Sequence, residues 1–332
     1  MAEGYQVTRI VGFVLVQNEE SFVTWAISNV LEFCDEIIVM ENNSTDATWE
    51  RIEALAARHP KIRAHRVANA GRTNEYAVPF VGQDVWLFGV DGDEIYDPLG
   101  LARFRKRVLE GEFRTAREIR GHTVHARTID LDAQSATGFV TPAAKAATKF
   151  YYAGAIDSWH ANTQRLHGRP VYKEGWEAAE RVHLAATQSW EEADLRMLHL
   201  CFFPRSTINP DVAVRQNITD RSFRNIWRRP VFSMLEALGL GRGRVGEYVR
   251  RLAGIRKPQH YAVGDIEERS IAGFGRPADF GLPGAEAVER QIAEITERRR
   301  ADPAELVRTA EKRVSRAASR RTGRTGRTGK TS

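Results

Sequence analysis

The N-terminal half of this sequence predicts an α/β fold: an open, largely parallel sheet covered by helices. Three observations predict it. Short apolar, β-branched runs recur, stretches of helical periodicity separate them, and a polar cluster follows each run. The first run, 10–16, reads as a buried strand ending at Gln17-Asn18-Glu19-Glu20. Ser21 can open a helix that sets Phe22, Trp25, Ala26, Asn29, Val30 and Phe33 along one side, an aromatic stripe of the kind that packs a core. A second strand over 35–40 is stopped by Glu41-Asn42-Asn43-Ser44-Thr45-Asp46, whose last members can cap a helix over 47–58. Ile52, Leu55 and Ala56 form the inner face of that helix, and His59-Pro60 ends it. A third strand alternates over 62–67, and 70–74 leads into a short helix near 75–81. The fourth run, Val85-Trp86-Leu87-Phe88-Gly89-Val90, ends directly in Asp91-Gly92-Asp93-Glu94. Strand–helix alternation of this kind implies right-handed crossovers.

All four polar clusters therefore fall at strand ends on one side of the expected sheet, the edge where open α/β sheets bind ligands. Three carboxylates within four residues repel one another unless they share a cation, and oxygen ligands suit Mg2+ or Mn2+. An Asp-Gly pair is also an ordinary turn signal; the convergence of four clusters is what favours a ligand site. The turn after the first strand carries no glycine, which excludes a dinucleotide fingerprint, and no Walker loop is present. An acidic edge can hold a diphosphate only with a divalent cation between them. That arrangement suits a nucleotide whose diphosphate is a leaving group.

In bulk, the 332 residues are 42% hydrophobic and 28% charged, as in a soluble globular protein. No apolar stretch approaches membrane-spanning length, and the N-terminus lacks a signal-peptide pattern. Cys34 and Cys201 lie in apolar surroundings without metal-ligand spacing and read as buried thiols of a reducing compartment, so a cytoplasmic location is expected. The net charge of +6 is uneven: ten basic residues between Arg221 and Lys257 face only Glu236 and Glu247, and eight more follow from Lys312 with no acid. Such segments favour polyanions or an anionic membrane face. The stretch 222–240, aromatic and aliphatic with flanking arginines, could lie on an anionic bilayer or form a helical cap. No specific nucleic-acid partner is expected. The organisation read from these shifts is 1–210 as the α/β unit that carries the strand-end clusters, 211–300 as a mainly helical basic extension, and 301–332 as a helix end and disordered tail.

Residues 14–20, 35–48 and 91–94, in that order and spacing, resemble the family 2 glycosyltransferases of GT-A fold. The second stretch resembles that family's strand and acidic-x-Asn-Ser-x-Asp-x-Thr loop, and the third its Asp-x-Asp motif. The resemblance covers residues 8–100 and implies a metal-dependent transfer of a sugar from a nucleotide-sugar donor to an acceptor hydroxyl, with inversion, using Mn2+ or Mg2+. It implies that Val16, Asn18, Glu19, Glu41, Asn43, Arg72, Asn74 and Asp91 bind the nucleotide-sugar, Glu41 standing where the family more often has Asp. Asp91 and Asp93 would serve the metal, joined by His199 as the histidine that many GT-A enzymes add from a late strand; His183 is the weaker candidate. Glu94 would ligate or orient its neighbours.

The second half is less regular. A helix is expected over 98–109 and a strand over 118–132, where His122 and His125, three apart, should face opposite sides and share no metal. Another strand is expected over 149–154. Asp157 beside Trp159 combines a carboxylate with an aromatic stacking platform, and Glu174 and Glu177 flank Gly175-Trp176 similarly. Asp157 and Glu177 are the candidates for the base that takes the acceptor's proton. The acidic pair and Arg/Gln-x-x-Arg-Trp signature of processive synthases is missing, which argues against a processive polysaccharide synthase; the acceptor the resemblance implies is a glycan or lipid-linked hydroxyl, with peripheral contact at the inner membrane face. Two rivals remain: a nucleotidyltransferase-like enzyme, which would need a Gly-rich basic phosphate loop, and a non-catalytic polyanion- or membrane-surface-binding protein.

Overall fold

The computed structural model describes residues 9–143, 149–159, 165–166, 170–208, 261, 264–281 and 284–302. The expected basic surface segment at 222–240 and the tail beyond 302 lie outside the described residues. Among the described residues no helix is long and apolar enough to cross a membrane.

The first ninety residues fold as β1 (Arg9–Val16), α1 (Val23–Val30), β2 (Glu36–Glu41), α2 (Thr48–Arg58), β3 (Ile62–Arg66) and β4 (Val85–Asp91). These bounds lie within a residue or two of the expectation, except that α1 ends at Val30, three residues before Phe33. The short helix expected near 75–81 is instead two 3-10 segments, Ala70–Tyr76 and Val78–Phe80. Pro79 lacks the N–H that would continue a hydrogen-bonded turn, which keeps this stretch short. β5 (Glu94–Tyr96) and α3 (Pro98–Leu109) follow, α3 with Asp97 as N-cap accepting from Leu99 N at 3.0 Å.

The strand expected over 118–132 is two strands, β6 (Ala116–Arg120) and β7 (His122–Asp130), that belong to different sheets. The break is Gly121, where a Cβ would sit 1.9 Å from Leu195 O. Only a residue without a side chain lets the chain pass that carbonyl. Then come β8 (Ser135–Val140), β9 (Lys149–Tyr152), β10 (Ile156–Trp159), β11 (Pro170–Tyr172), β12 (Glu180–His183), β13 (Arg196–His199), β14 (Ile266–Ser270) and the helix α4 (Ala285–Ala301).

The main sheet has the order β12-β6-β9-β4-β1-β2-β3. Its strands run parallel except β9, which is antiparallel to both β4 and β6. The mixed α/β fold with a large, mostly parallel sheet is thus as expected. A second sheet, β14-β8-β7-β13-β5, takes over where the chain leaves β4. α4 closes it: Thr296 Oγ1 accepts from Ile129 N at 3.0 Å and donates to Ile129 O at 2.9 Å. Val288, Ile292 and Ile295 pack with Phe22, Trp25, Val124 and Phe274 in one core.

Aromatic packing fixes α3 and the turn after α1 against the main sheet. Phe33 lies 5.2 Å from Phe88, 5.9 Å from Phe104 and 5.8 Å from Phe150, while Trp86 stacks on Phe150 at 4.6 Å. Phe150→Ala should therefore cost about 3–5 kcal/mol, read as a lowered denaturant midpoint; a loss near that of a surface substitution would contradict this packing. Asp35 ties α3 to β1, accepting two bonds from Arg105 at 2.6 and 3.0 Å and one from Ile10 N at 2.7 Å. Burial opposes its ionised form, yet these bonds outweigh it and hold the carboxyl below its ordinary pKa. Because the folded-state value is depressed, this stabilisation is present above the unfolded pKa of about 3.9 and is lost as pH falls through the lower folded value. Asp35→Asn should accordingly lower stability at neutral pH and flatten its decline in acid, measured by denaturation across pH.

Candidate functional site

The parallel register brings the ends of four strands side by side. Val16 pairs with Glu41, Leu15 with Asp91, and Glu41 with Arg66. The loops that follow β1 and β2 are laced together. Asn18 N donates to Ser44 Oγ at 2.9 Å and Asn18 Oδ1 accepts from Thr45 N at 2.9 Å. Glu19 N donates to Thr48 Oγ1 at 2.8 Å, and Thr48 Oγ1 donates to Asp46 Oδ1 at 2.5 Å. Asn18 and Asn43 both adopt positive φ, 53° and 52°, which Asn tolerates better than most residues. The Glu41-to-Thr48 motif thus works partly as a lock between loops. Glu41 is buried, accepts from Ser44 N through Oε1, and has Arg66 Nε 4.0 Å from Oε2. Asn43 Nδ2 reaches Val67 O at 3.5 Å.

The Asp91-Gly92-Asp93-Glu94 turn lies directly against this lock. A Cβ on Gly92 would meet Val16 Cγ1 at 2.8 Å and Glu19 Cβ at 3.0 Å, so the glycine is there for close approach. Glu94 turns inward and accepts from Asp91 N at 2.9 Å. Asp91 pairs with Arg165 Nη2 at 2.5 Å, and the Arg165 side chain also donates to Val90 O at 2.7 Å. Arg165 is buried and its N–H donates to Thr73 Oγ1 at 2.9 Å, which joins the 70–76 segment to the site. Asn74 in that segment is buried, whereas Arg72 is exposed and pairs with Glu75 at 2.7 Å.

Asp93 is fully buried and faces His199 Nε2 at 3.4 Å, while its backbone O accepts from Leu200 N at 2.8 Å. The chain after β13 then returns to the first loop: Arg205 pairs with Glu19 and its O accepts from Ser21 N at 2.9 Å, and Thr207 N donates to Glu20 Oε1 at 2.7 Å. Burial alone would push the His199 pKa down; the Cys201 sulfur and the Asp93 carboxylate more than offset it, and the imidazole is raised well above its ordinary value.

His199 also has a neighbour that the sequence reading did not assign to it. Its Nδ1 lies 2.9 Å from His125 Nδ1, and Cys201 Sγ lies 3.7 Å from the same His125 atom. His122 faces other surroundings, with Nε2 2.9 Å from Gln188 O and its ring against Trp190. His183 Nδ1 lies 3.2 Å from Ala143 O.

Asp157 and Glu177 are not brought to this edge. β9 pairs Lys149 with Gly89 and Tyr152 with Trp86, so the chain leaves β9 heading away from Asp91. Five strand residues separate Trp86 from Asp91, about 16 Å. Asp157 is exposed on β10, and Trp159 is buried with its ring edge-on to Tyr151 at 5.4 Å, not presented as a platform. Glu177 is exposed beside Trp176, which packs on Tyr152.

Residues 13–116 match the model of Glycosyl transferase family 2. Comparison with curated proteins gives no match. Solved structures similar to the chain include glucosyl-3-phosphoglycerate synthase from Mycobacterium tuberculosis with Mn2+, uridine diphosphate and glucosyl-3-phosphoglycerate, at 21% identity over 36% of this chain and 46% of that one, TM-score 0.28. Another is the mannosyltransferase PcManGT from Pyrobaculum calidifontis with GDP-Man and Mn2+, at 17% identity over 34% of each chain, TM-score 0.28. The chain thus spans less than half the length of either.

Gly92→Ala tests the turn. The added methyl should cost about 1–3 kcal/mol through overpacking, read as a lower thermal midpoint; an unchanged midpoint would show that the turn does not press on Val16 and Glu19.

Proposed function

We propose that the protein is a metal-dependent glycosyltransferase that moves a sugar from a nucleotide-sugar donor to an acceptor hydroxyl. The observation that carries this reading is the buried Asp93 carboxylate facing the His199 imidazole beside the ends of β1 and β2. The donor set fits a divalent cation: one buried carboxylate and one imidazole, with Glu19 and Glu41 already engaged by Arg205 and Ser44. An imidazole in that set favours Mn2+ over Mg2+. The cation, when bound, neutralises the departing diphosphate.

The chain's own residues do the rest. Asp93 and His199 hold the metal. Asp91, neutralised by Arg165, is left to meet the ribose or the metal's water shell. Val16, Asn18, Glu19, Glu41 and Asn43 form the strand-end surface for the nucleotide, with Asn74 and Arg72 on the neighbouring 3-10 segment. Binding the donor against fixed loops orients the sugar without reorganisation at the moment of transfer. Attack by the acceptor opposite the leaving diphosphate gives inversion. The acceptor in this reading is a glycan or lipid-linked hydroxyl, and the location is cytoplasmic.

The test is thermal stability with UDP-, GDP- and dTDP-sugars, with and without Mn2+. One donor should raise the midpoint only when Mn2+ is present, since a ligand of the folded state stabilises it by mass action. Asp93→Ala should abolish that shift and lower metal-dependent donor hydrolysis on the order of 10²-fold or more, with the circular dichroism unchanged. A folded Asp93→Ala protein with wild-type turnover would overturn the mechanism.

A further inference from the structure

We propose that His125, His199 and Cys201 form a second metal centre, selective for a borderline-soft cation such as Zn2+, whose filling denies His199 Nε2 to a cation at Asp93. The binding part of this inference stands on the three side chains alone; its effect on turnover rests on the function proposed above.

The register creates the cluster. β13 pairs with β7 in parallel, and His199 is the direct partner of His125, so adjacent strands present the two rings together. Cys201 follows two residues later, where the turn closed by Phe203 N to Leu200 O, at 2.9 Å, keeps its sulfur near the rings. All three side chains are buried, and one ligand atom from each lies within 4.8 Å of the others. Tyr261 walls the group, its ring 5.1 Å from that of His125 and 4.8 Å from that of His199.

The distances are those of a collapsed tetrahedral site. With Zn–N of about 2.0–2.1 Å and Zn–S of about 2.3 Å, a tetrahedron has N···N edges near ~3.3 Å and N···S edges near ~3.6 Å. Two of the three edges here are 2.9 Å and 3.7 Å, and all three ligand atoms lie within 4.8 Å of one another, so small rotations of the side chains admit an ion. One thiolate and two imidazoles leave a fourth position open and disfavour Mg2+ and Mn2+, which prefer oxygen.

The tautomer of His199 makes the two centres exclusive. A neutral imidazole has one nitrogen carrying hydrogen and one with a lone pair. Ligation of the soft cation through Nδ1 puts the hydrogen on Nε2, which then donates to Asp93. Ligation of the Asp93 cation through Nε2 puts the hydrogen on Nδ1, which then donates to His125. His199 therefore serves one cation at a time, and binding at the second centre releases the Cys201 thiol proton. A trace thiophilic metal would act as an inhibitor that excess Mn2+ reverses only slowly, because the soft centre is buried.

The full chain, stripped of metal and titrated with Co2+, tests this. Wild type should develop a sulfur-to-cobalt charge-transfer band in the near ultraviolet with intense tetrahedral ligand-field bands in the visible. Cys201→Ser should lose the charge-transfer band, Asp93→Asn should keep it, and Zn2+ should bleach it. Absence of the band in wild type, or its survival in Cys201→Ser, overturns the proposal. Should Cys201→Ser fail to fold, X-ray absorption on Zn2+-loaded wild type decides: a sulfur scatterer at about 2.3 Å supports the centre, and a shell without sulfur overturns it. In the Mn2+-dependent assay, Zn2+ should inhibit wild type and spare Cys201→Ser. If no donor is turned over but sulfur ligation is seen, the second centre stands and the glycosyltransferase reading fails; the converse result separates them the other way.

Discussion

The contact between Asp93 and His199 is the constraint on which the rest of the structure turns. Asp93 occupies the point where the chain leaves the parallel sheet and enters the second one, and His199 ends β13, which lies between β7 and β5 in that second sheet. Leu200 N to Asp93 O pins the two backbones at 2.8 Å beside it. A buried carboxylate is costly unless it is paired or bound to a cation. Burying Asp93 completely therefore obliges the fold to bring a partner to it, and the second sheet is what brings it. α4 braces that sheet from behind, with Arg299 donating to Arg127 O at 2.6 Å and to Phe202 O.

Around this contact the carboxylates are sorted by their partners. Arg165 takes Asp91, Arg205 takes Glu19, and backbone N–H groups take Glu41 and Glu94. Each pairing lowers the repulsion that several carboxylates at one edge would otherwise generate. Asp93 has an imidazole as its neighbour, a group that can either donate to it or share a metal with it. The same ring faces a second imidazole and a thiol on its other side, and that double exposure makes His199 the pivot of the site.

The parallel half of the fold was legible in the sequence because β1, β2 and β4 are buried on both faces and read as near-continuous apolar runs, while β3, part-exposed, alternates. The strand-end clusters were legible for the same reason: in an open α/β sheet the loops at one edge carry the chemistry. Gly121 was not, because its requirement comes from Leu195 O, a carbonyl 74 residues away that no local pattern announces. The sequence around Arg165 carries no periodicity, so nothing in the chain pointed from it to Asp91. The pairing of His125 with His199 depends on the β7–β13 register. The spacing of His199 and Cys201, two apart in an apolar run, was the one available hint that both could serve a single centre. Asp157 and Glu177 misled because a carboxylate beside a tryptophan looks the same whether the indole is exposed or, as at Trp159, buried.

The most direct measurement is the anomalous scattering of Mn2+ in crystals grown with uridine diphosphate or guanosine diphosphate. The account predicts a peak within bonding distance of Asp93 and His199 Nε2, with the diphosphate on its far side against the ends of β1 and β2. A diphosphate bound there with no metal at Asp93, or a metal held without either residue, would contradict it.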